Sequence, residues 1–154
     1  AVALPKSDAD VRELLRFAAA HGVGLIPRAA GTSLAGQVVG GGIVVDAGRH
    51  MNRIVSLDVE RRTVRVQPGV VRNALNQFLA PHGLYFGPET STASWAMIGG
   101  MVGNNSCGSN SIAGSCCSRV RASSSTRPSS NTALCLHGKR SPAVARACTR
   151  SSSR

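Results

Sequence analysis

From residue 113 to residue 154 the chain has no aspartate, no glutamate and no aromatic residue, but 11 serines and 7 arginines. Its apolar residues are scattered without period. Such text buries too little apolar surface to offset the entropy of ordering it. The core of any fold must therefore come from residues 1–112. Charge divides at the same point. Residues 1–112 hold 10 Lys+Arg against 7 Asp+Glu, whereas residues 113–154 hold 8 Lys+Arg and no acid, so most of the net +11 lies in the tail. Cysteine follows: Cys116, Cys117, Cys135 and Cys148 lie beyond the boundary and Cys107 before it. Two readings of the tail arise, a flexible basic segment and text read out of frame. The second is preferred, because GC-rich coding sequence out of frame yields Arg, Ser, Ala, Pro and Cys without acids. Both predict disorder over 113–154.

The first 112 residues have ordinary punctuation. "KSDADVRELLRFAAAHG" predicts an amphipathic helix, with Ser7 or Asp8 as N-cap, Val11, Leu14, Leu15, Ala18 and Ala19 on one face, and Gly22 as a left-handed stop. "GLIP" and "GGGIVVDAG" read as strands, and "IVSLD" with "TVRVQ" as a hairpin around a polar turn. In the hairpin Val64 and Val66 should face inward, Arg65 and Gln67 outward. "VVRNALNQFLAPHG" predicts a second helix with Val71, Leu75, Phe78 and Leu79 inward and Pro81 and Gly83 at its end. "LYFGPE" reads as a strand and turn. This order places the chain in the α+β class.

Two segments stand apart because their side chains are small. "PRAAGTSLAGQ" comes straight after an apolar run, and "TSTASWAMIGGMVGNNSCGSNS" comes about 60 residues later. Small residues let a backbone pass close to another chain segment or to a ligand. The first loop offers backbone N–H groups around Gly31, the hydroxyls of Thr32 and Ser33, and the charge of Arg28. That set suits an anion, pyrophosphate above all. The spacing matches neither G-x-x-x-x-G-K-[ST] nor G-x-G-x-x-G, which disfavours a P-loop or a Rossmann site. The two segments could converge on one ligand.

The run of motifs is more specific than either loop. "IPRAAGTSLAGQ", "GIVVDAGRHMNRI" and "TVRVQPGVVRNALNQFLAPHGLYFGPETSTASWAMIGGMVGNNSCGSNS", in that order, resemble the FAD-binding domain of the vanillyl-alcohol oxidase/p-cresol methylhydroxylase superfamily. Within it the likeness is to the glycolate oxidase and D-lactate dehydrogenase branch of FAD-linked 2-hydroxy-acid dehydrogenases. It covers about residues 3 to 112. It implies two α+β subdomains with FAD between them, here partial and truncated at both ends. It implies pyrophosphate contacts from Arg28, Gly31, Thr32, Ser33, Leu34, Gly36 and Gln37. It implies contacts to the ribityl chain and flavin from Pro88, Glu89, Ser91, Ile98, Gly99, Gly100, Asn104, Asn105 and Gly108.

The chain departs from the family in places. Ala29 and Ala30 stand where glycine is frequent, which argues against positive φ there. Met97 stands near a position usually Thr or Ser. No His or Cys lies between Pro27 and Gln37, so FAD is expected to bind non-covalently. The resemblance further implies that a domain absent from this sequence holds the 2-hydroxy acid, and that a separate electron-acceptor protein or iron–sulfur domain is the redox partner. No catalytic residue is assigned in this chain, which is expected to be inactive alone.

Other residues carry weaker signals. Cys107 reads as a small packed residue, since no His or Lys lies beside it. His21 and His82 fall at helix C-termini, where the dipole favours a cation. His50 reads as a surface residue and Trp95 as core. Asp46 and Glu89 read as structural or cofactor hydrogen-bond partners. The "RHMNR" and "VERR" charges read as solvated turns, which disfavours nucleic acid as a partner. No C-x-x-C occurs, so no metal is expected. No apolar run reaches the ~18 residues of a membrane span. An odd cysteine count without a signal peptide points to a reducing, cytoplasmic setting. A start at Ala1 rather than Met suggests cutting or processing.

Overall fold

The computed structural model describes residues 1–106 and 132–138. The chain opens as a strand–helix–strand unit. β1 (Val2–Ala3), β2 (Leu25–Arg28) and β3 (Ile43–Asp46) form a parallel sheet with β3 in the middle. Val44 sits opposite Val2 on one side and Ile26 on the other. Between β1 and β2 runs α1 (Asp8–His21). Ser7 rather than Asp8 is its N-cap, and the Asp10 carboxylate accepts from the N–H groups of Lys6 (2.7 Å) and Ser7 (3.1 Å) in a capping box. Gly22 ends the helix at φ 64°, its N–H reaching the Ala18 carbonyl.

The second part is antiparallel. β4 (Ile54–Asp58) and β5 (Thr63–Val66) form the expected hairpin, with a register shift between Ile54 and Ser56. Its turn is closed by the Asp58 carboxylate, which accepts from the Arg61 N–H at 2.9 Å. α2 (Arg72–Leu79), a 3-10 turn (Ala80–His82), β6 (Leu84–Tyr85) and α3 (Ile98–Gly103) follow. The core lies here. Val64, Val66, Val70, Leu75, Leu79, Leu84, Phe86, Ala96, Ile98 and Met101 form one buried cluster. Complete burial of a residue such as Leu75 or Leu79 contributes about 1.5–3 kcal/mol.

Several expectations need correction. Of the α1 stripe only Ala18 is buried, while Leu15 and Phe17 are about half exposed. Phe78 is exposed on α2 rather than inward, and Trp95 is 71% exposed rather than core. Gln67 is buried, because its amide oxygen accepts the Arg53 N–H at 2.9 Å and takes the place of a strand partner.

The largest correction concerns the tail. Residues 132–138 are not structureless. β7 (Thr132–Cys135) pairs antiparallel with β5, Thr63 opposite Cys135, and β8 (His137–Gly138) pairs with β6. Leu134 and Leu136 are buried in the core cluster. These leucines alternate with Ala133 and Cys135, a period-two signal masked by the Ser/Arg-rich text around it. The disorder expected over 113–154 therefore does not hold for residues 132–138. Cys107, Gly108, Cys116, Cys117 and Cys148 lie outside the described residues.

Candidate functional site

The two small-residue segments meet. Between them is a cleft of about 290 Å³. One wall is the loop after β2, with Ala29, Ala30, Gly31, Thr32, Ser33, Gln37 and Val38. The other carries Thr90, Thr92, Ala96, Met97, Gly100, Met101, Asn104 and Ser106. The volume sits at the lower limit for small-molecule sites, so it suits part of a dinucleotide rather than the whole.

Local chemistry explains why small residues are needed. The loop turns through positive φ at Gly31 (71°) and Gly36 (67°), while Ala29 and Ala30 do not. A Cβ on Gly31 would lie 3.1 Å from Nε of Arg28, whose guanidinium therefore sits against the turn. A Cβ on Gly100 would lie 3.1 Å from that of Ala29, so the walls touch there. Gly99 serves packing instead. A Cβ on it would come within 2.5 Å of Cβ of Pro68, and its N–H donates to the Pro68 carbonyl at 2.8 Å. Small size thus serves chain crossing at Ala29, Gly99 and Gly100, and at Gly31 it makes room for the Arg28 side chain and the turn.

The cleft mixes apolar side chains with hydroxyl and amide groups and carries no charged lining residue among those described. Among the described lining residues there is no carboxylate, histidine, lysine or tyrosine. None of the described backbone bonds uses the N–H groups of Gly31, Thr32 or Ser33. The Thr90 hydroxyl oxygen is buried and has no hydrogen-bond partner among the described residues. A buried hydroxyl left unpaired is costly and fits a site completed by a ligand. N–H groups without a described backbone partner, hydroxyls and an adjacent arginine suit a phosphorylated group.

Six of the sixteen residues expected at the site line this cleft: Gly31, Thr32, Ser33, Gln37, Gly100 and Asn104. Arg28 borders a neighbouring hollow that it shares with Asp46, Arg49 and Trp95. Leu34 is fully exposed, and Gly36 supplies a turn. Pro88 presents its carbonyl to Arg72, Ser91 is exposed, and Ile98 is buried in the core. Glu89 and Asn105 lie beside the lining residues without joining them, and Asn105 holds φ at 48°. Sequence reasoning missed Thr90 and Thr92. Their hydroxyls were as visible as that of Ser91, but only the backbone decides which ones turn inward.

The remaining residues sort simply. Asp46 accepts the Gly48 N–H at 2.8 Å, a structural role. His21 places Nδ1 2.9 Å from the Phe17 carbonyl oxygen at the end of α1. His50 is exposed. Among the described residues no group of His, Cys, Asp and Glu could hold a metal ion, and no helix is long and apolar enough to cross a membrane.

A small-residue cleft in an α+β chain, with hydroxyls and N–H groups that lack a described backbone partner on facing loops, fits the class of domains that hold a phosphorylated cofactor. The chain belongs to the FAD binding domain family, which matches residues 1–126 and so runs past the boundary expected at residue 112. FAD is accordingly the cofactor of this domain. Similar curated proteins include a D-2-hydroxyglutarate dehydrogenase of Haemophilus influenzae, 43% identical over 115 residues, covering 73% of this chain and 11% of that protein. The glycolate oxidase protein GlcD of Bacillus subtilis is 34% identical over 110 residues, covering 70% of this chain and 23% of that protein. Among solved structures, an alkyldihydroxyacetonephosphate synthase aligns with TM-score 0.62 and 26% identity over 70% of this chain and 22% of its own. The chain thus spans about a tenth to a quarter of the relatives it matches.

Proposed function

We propose that this chain is the FAD-binding portion of a flavin-dependent 2-hydroxy-acid dehydrogenase of the D-2-hydroxyglutarate, D-lactate or glycolate type, and that alone it binds cofactor without turnover. The observation that carries the reading is the cleft itself, with N–H groups on one wall that lack a described backbone partner and, on the other, the Thr90 hydroxyl, which has no partner among the described residues. Gly31, Thr32 and Ser33 would hold the pyrophosphate, with Arg28 supplying charge. Thr90, Gly100 and Asn104 would face the remainder of the cofactor. No His or Cys stands in the first loop, which favours non-covalent binding. When bound, FAD supplies a hydride acceptor for oxidation of the substrate α-carbon.

Oxidation of a hydroxy acid also needs a group that takes the hydroxyl proton and cations that orient the carboxylate. No described lining residue can do the first. Those groups, the electron acceptor and the substrate pocket are assigned to sequence beyond these residues. A cytoplasmic setting is the companion proposal. The test is titration of the purified 154-residue chain with FAD, followed by flavin fluorescence, and then dye reduction with D-2-hydroxyglutarate, D-lactate or glycolate. Saturable binding without dye reduction is expected. Steady dye reduction would refute the assignment of chemistry to other sequence, and absence of binding would refute the cofactor site.

A further inference from the structure

We infer that Asn76 and Arg72 are positioning residues for the second wall of the cleft, fixing Thr90 and Thr92 in place before any cofactor binds. The inference rests on reading the cleft as the FAD site, although neither residue lines it. The two lie four apart on α2 and so share one face. Asn76 Oδ1 accepts the Phe86 N–H at 2.7 Å, and its Nδ2 donates to the Phe86 carbonyl at 3.4 Å. One side-chain amide thus pairs both backbone groups of a residue that is 3% exposed. Arg72 Nε donates to the Pro88 carbonyl at 3.2 Å, and its Nη1 donates to Asn73 Oδ1 at 3.2 Å, which orients the guanidinium.

These contacts begin where the sheet stops. β6 ends at Tyr85, so among the described residues the backbone of Phe86 and Pro88 has no strand to pair with. The side chains of α2 replace the ladder there. The same helix also holds the far end of the segment. The N–H of Arg72 donates to the Ala96 carbonyl at 2.9 Å, and that of Asn73 to the Ala93 carbonyl at 3.3 Å. Thr90 and Thr92 therefore hang between two anchors on the first turns of one helix. Without the first anchor the segment samples other conformations, and apparent affinity falls by the fraction that remains competent.

The test uses the full 154-residue chain with Asn76→Leu, Asn76→Asp and the exposed control Gln77→Ala. Amide exchange without FAD reads the wall directly, and FAD titration reads its consequence. Asn76→Leu should speed exchange of the Phe86 amide and of residues 89–92 about tenfold, leave the β4–β5 hairpin unchanged, and weaken FAD binding about tenfold. Asn76→Asp keeps the acceptor for the Phe86 N–H but loses the donor to its carbonyl, and should recover part of both effects, whereas Gln77→Ala should match the parent. If Asn76→Leu fails to fold, Arg72→Gln carries the same two readouts, since it leaves the partners of Phe86 intact. Unchanged exchange in the folded variant overturns the inference whatever FAD does. A parent chain that binds no FAD, with exchange changed as expected, overturns the cofactor reading and leaves the clamp supported.

Discussion

The hydroxyl of Thr92 donates to that of Thr32 at 3.4 Å, joining the two walls of the cleft across sixty residues of sequence. It is the one side-chain bond among the described residues that links the loop after β2 to the Thr90–Ser106 wall. An exposed, long hydrogen bond of this kind contributes at most about 0.5–1.5 kcal/mol. Thr32→Val and Thr92→Val, singly and together, should show a coupling near the bottom of that range in FAD affinity. Strict additivity would mean that the walls act independently.

Gly31→Val should abolish measurable FAD binding while α1 stays helical. Its φ of 71° strains any branched residue by about 1–3 kcal/mol. The new Cβ would also press on the Arg28 side chain. Flavin content and far-UV circular dichroism, read on the same sample, separate the site from the fold. Flavin retained at the parent level would make the loop a crossing point only.

Thr90→Val tests the orphaned hydroxyl. The swap keeps shape and removes a buried, unpaired oxygen, so the cofactor-free chain should gain stability or stay level. FAD affinity should fall about tenfold in the same variant. Opposite signs for stability and binding are the expected signature. A variant that loses stability with unaltered affinity would point to a hydrogen-bond partner within the fold.

Leu134→Ala should destabilise the chain by about 2–5 kcal/mol, measured by urea unfolding, because Leu134 is 1% exposed. A structureless tail would give a change near zero. This single substitution decides whether the Ser/Arg-rich part of the chain contributes to the core.

Acid should weaken the start of α1. The N–H of Lys6, then the side chain and N–H of Ser7, hold the Asp10 carboxyl below its ordinary value of 3.8. A depressed folded-state pKa gives a contribution that is complete above the unfolded value and is lost as pH falls through the folded one. Helicity should therefore drop on acidification below 3.8 in the parent and less so in Asp10→Asn. Parallel pH profiles would show that the capping box carries no charge-dependent stability.

Much of this architecture was legible because it is local. Ser7 as a cap, Gly22, and the alternation of Val64 with Arg65 each act within a few residues, and α1, α2 and the hairpin fall where such signals point, whereas α3 carried none. The small-residue loops were legible for a related reason, since close approach leaves only small side chains. What escaped depends on distant partners. Gln67 is buried because Arg53 donates to it, and Thr90 turns inward because α2 holds Phe86. Neither partner is visible in the spacing. The strand at Thr132–Cys135 escaped because composition outweighed a short alternating run. The resemblance brought sixteen residues to the site, yet those in turns or packed between elements, such as Ser91 and Ile98, do not line the cleft.

The pairing of β5 with β7 also sets an order of assembly. Val66 leaves the ribosome about seventy residues before Cys135, roughly 3–14 s at ordinary synthesis rates. During that interval the β5 edge of the β4–β5 hairpin lacks its β7 partner, and the core lacks Leu134 and Leu136. A nascent chain in this state presents a short β-rich edge to its neighbours. The distance in sequence between β5 and β7 thus sets how long that edge stays open while the chain is made.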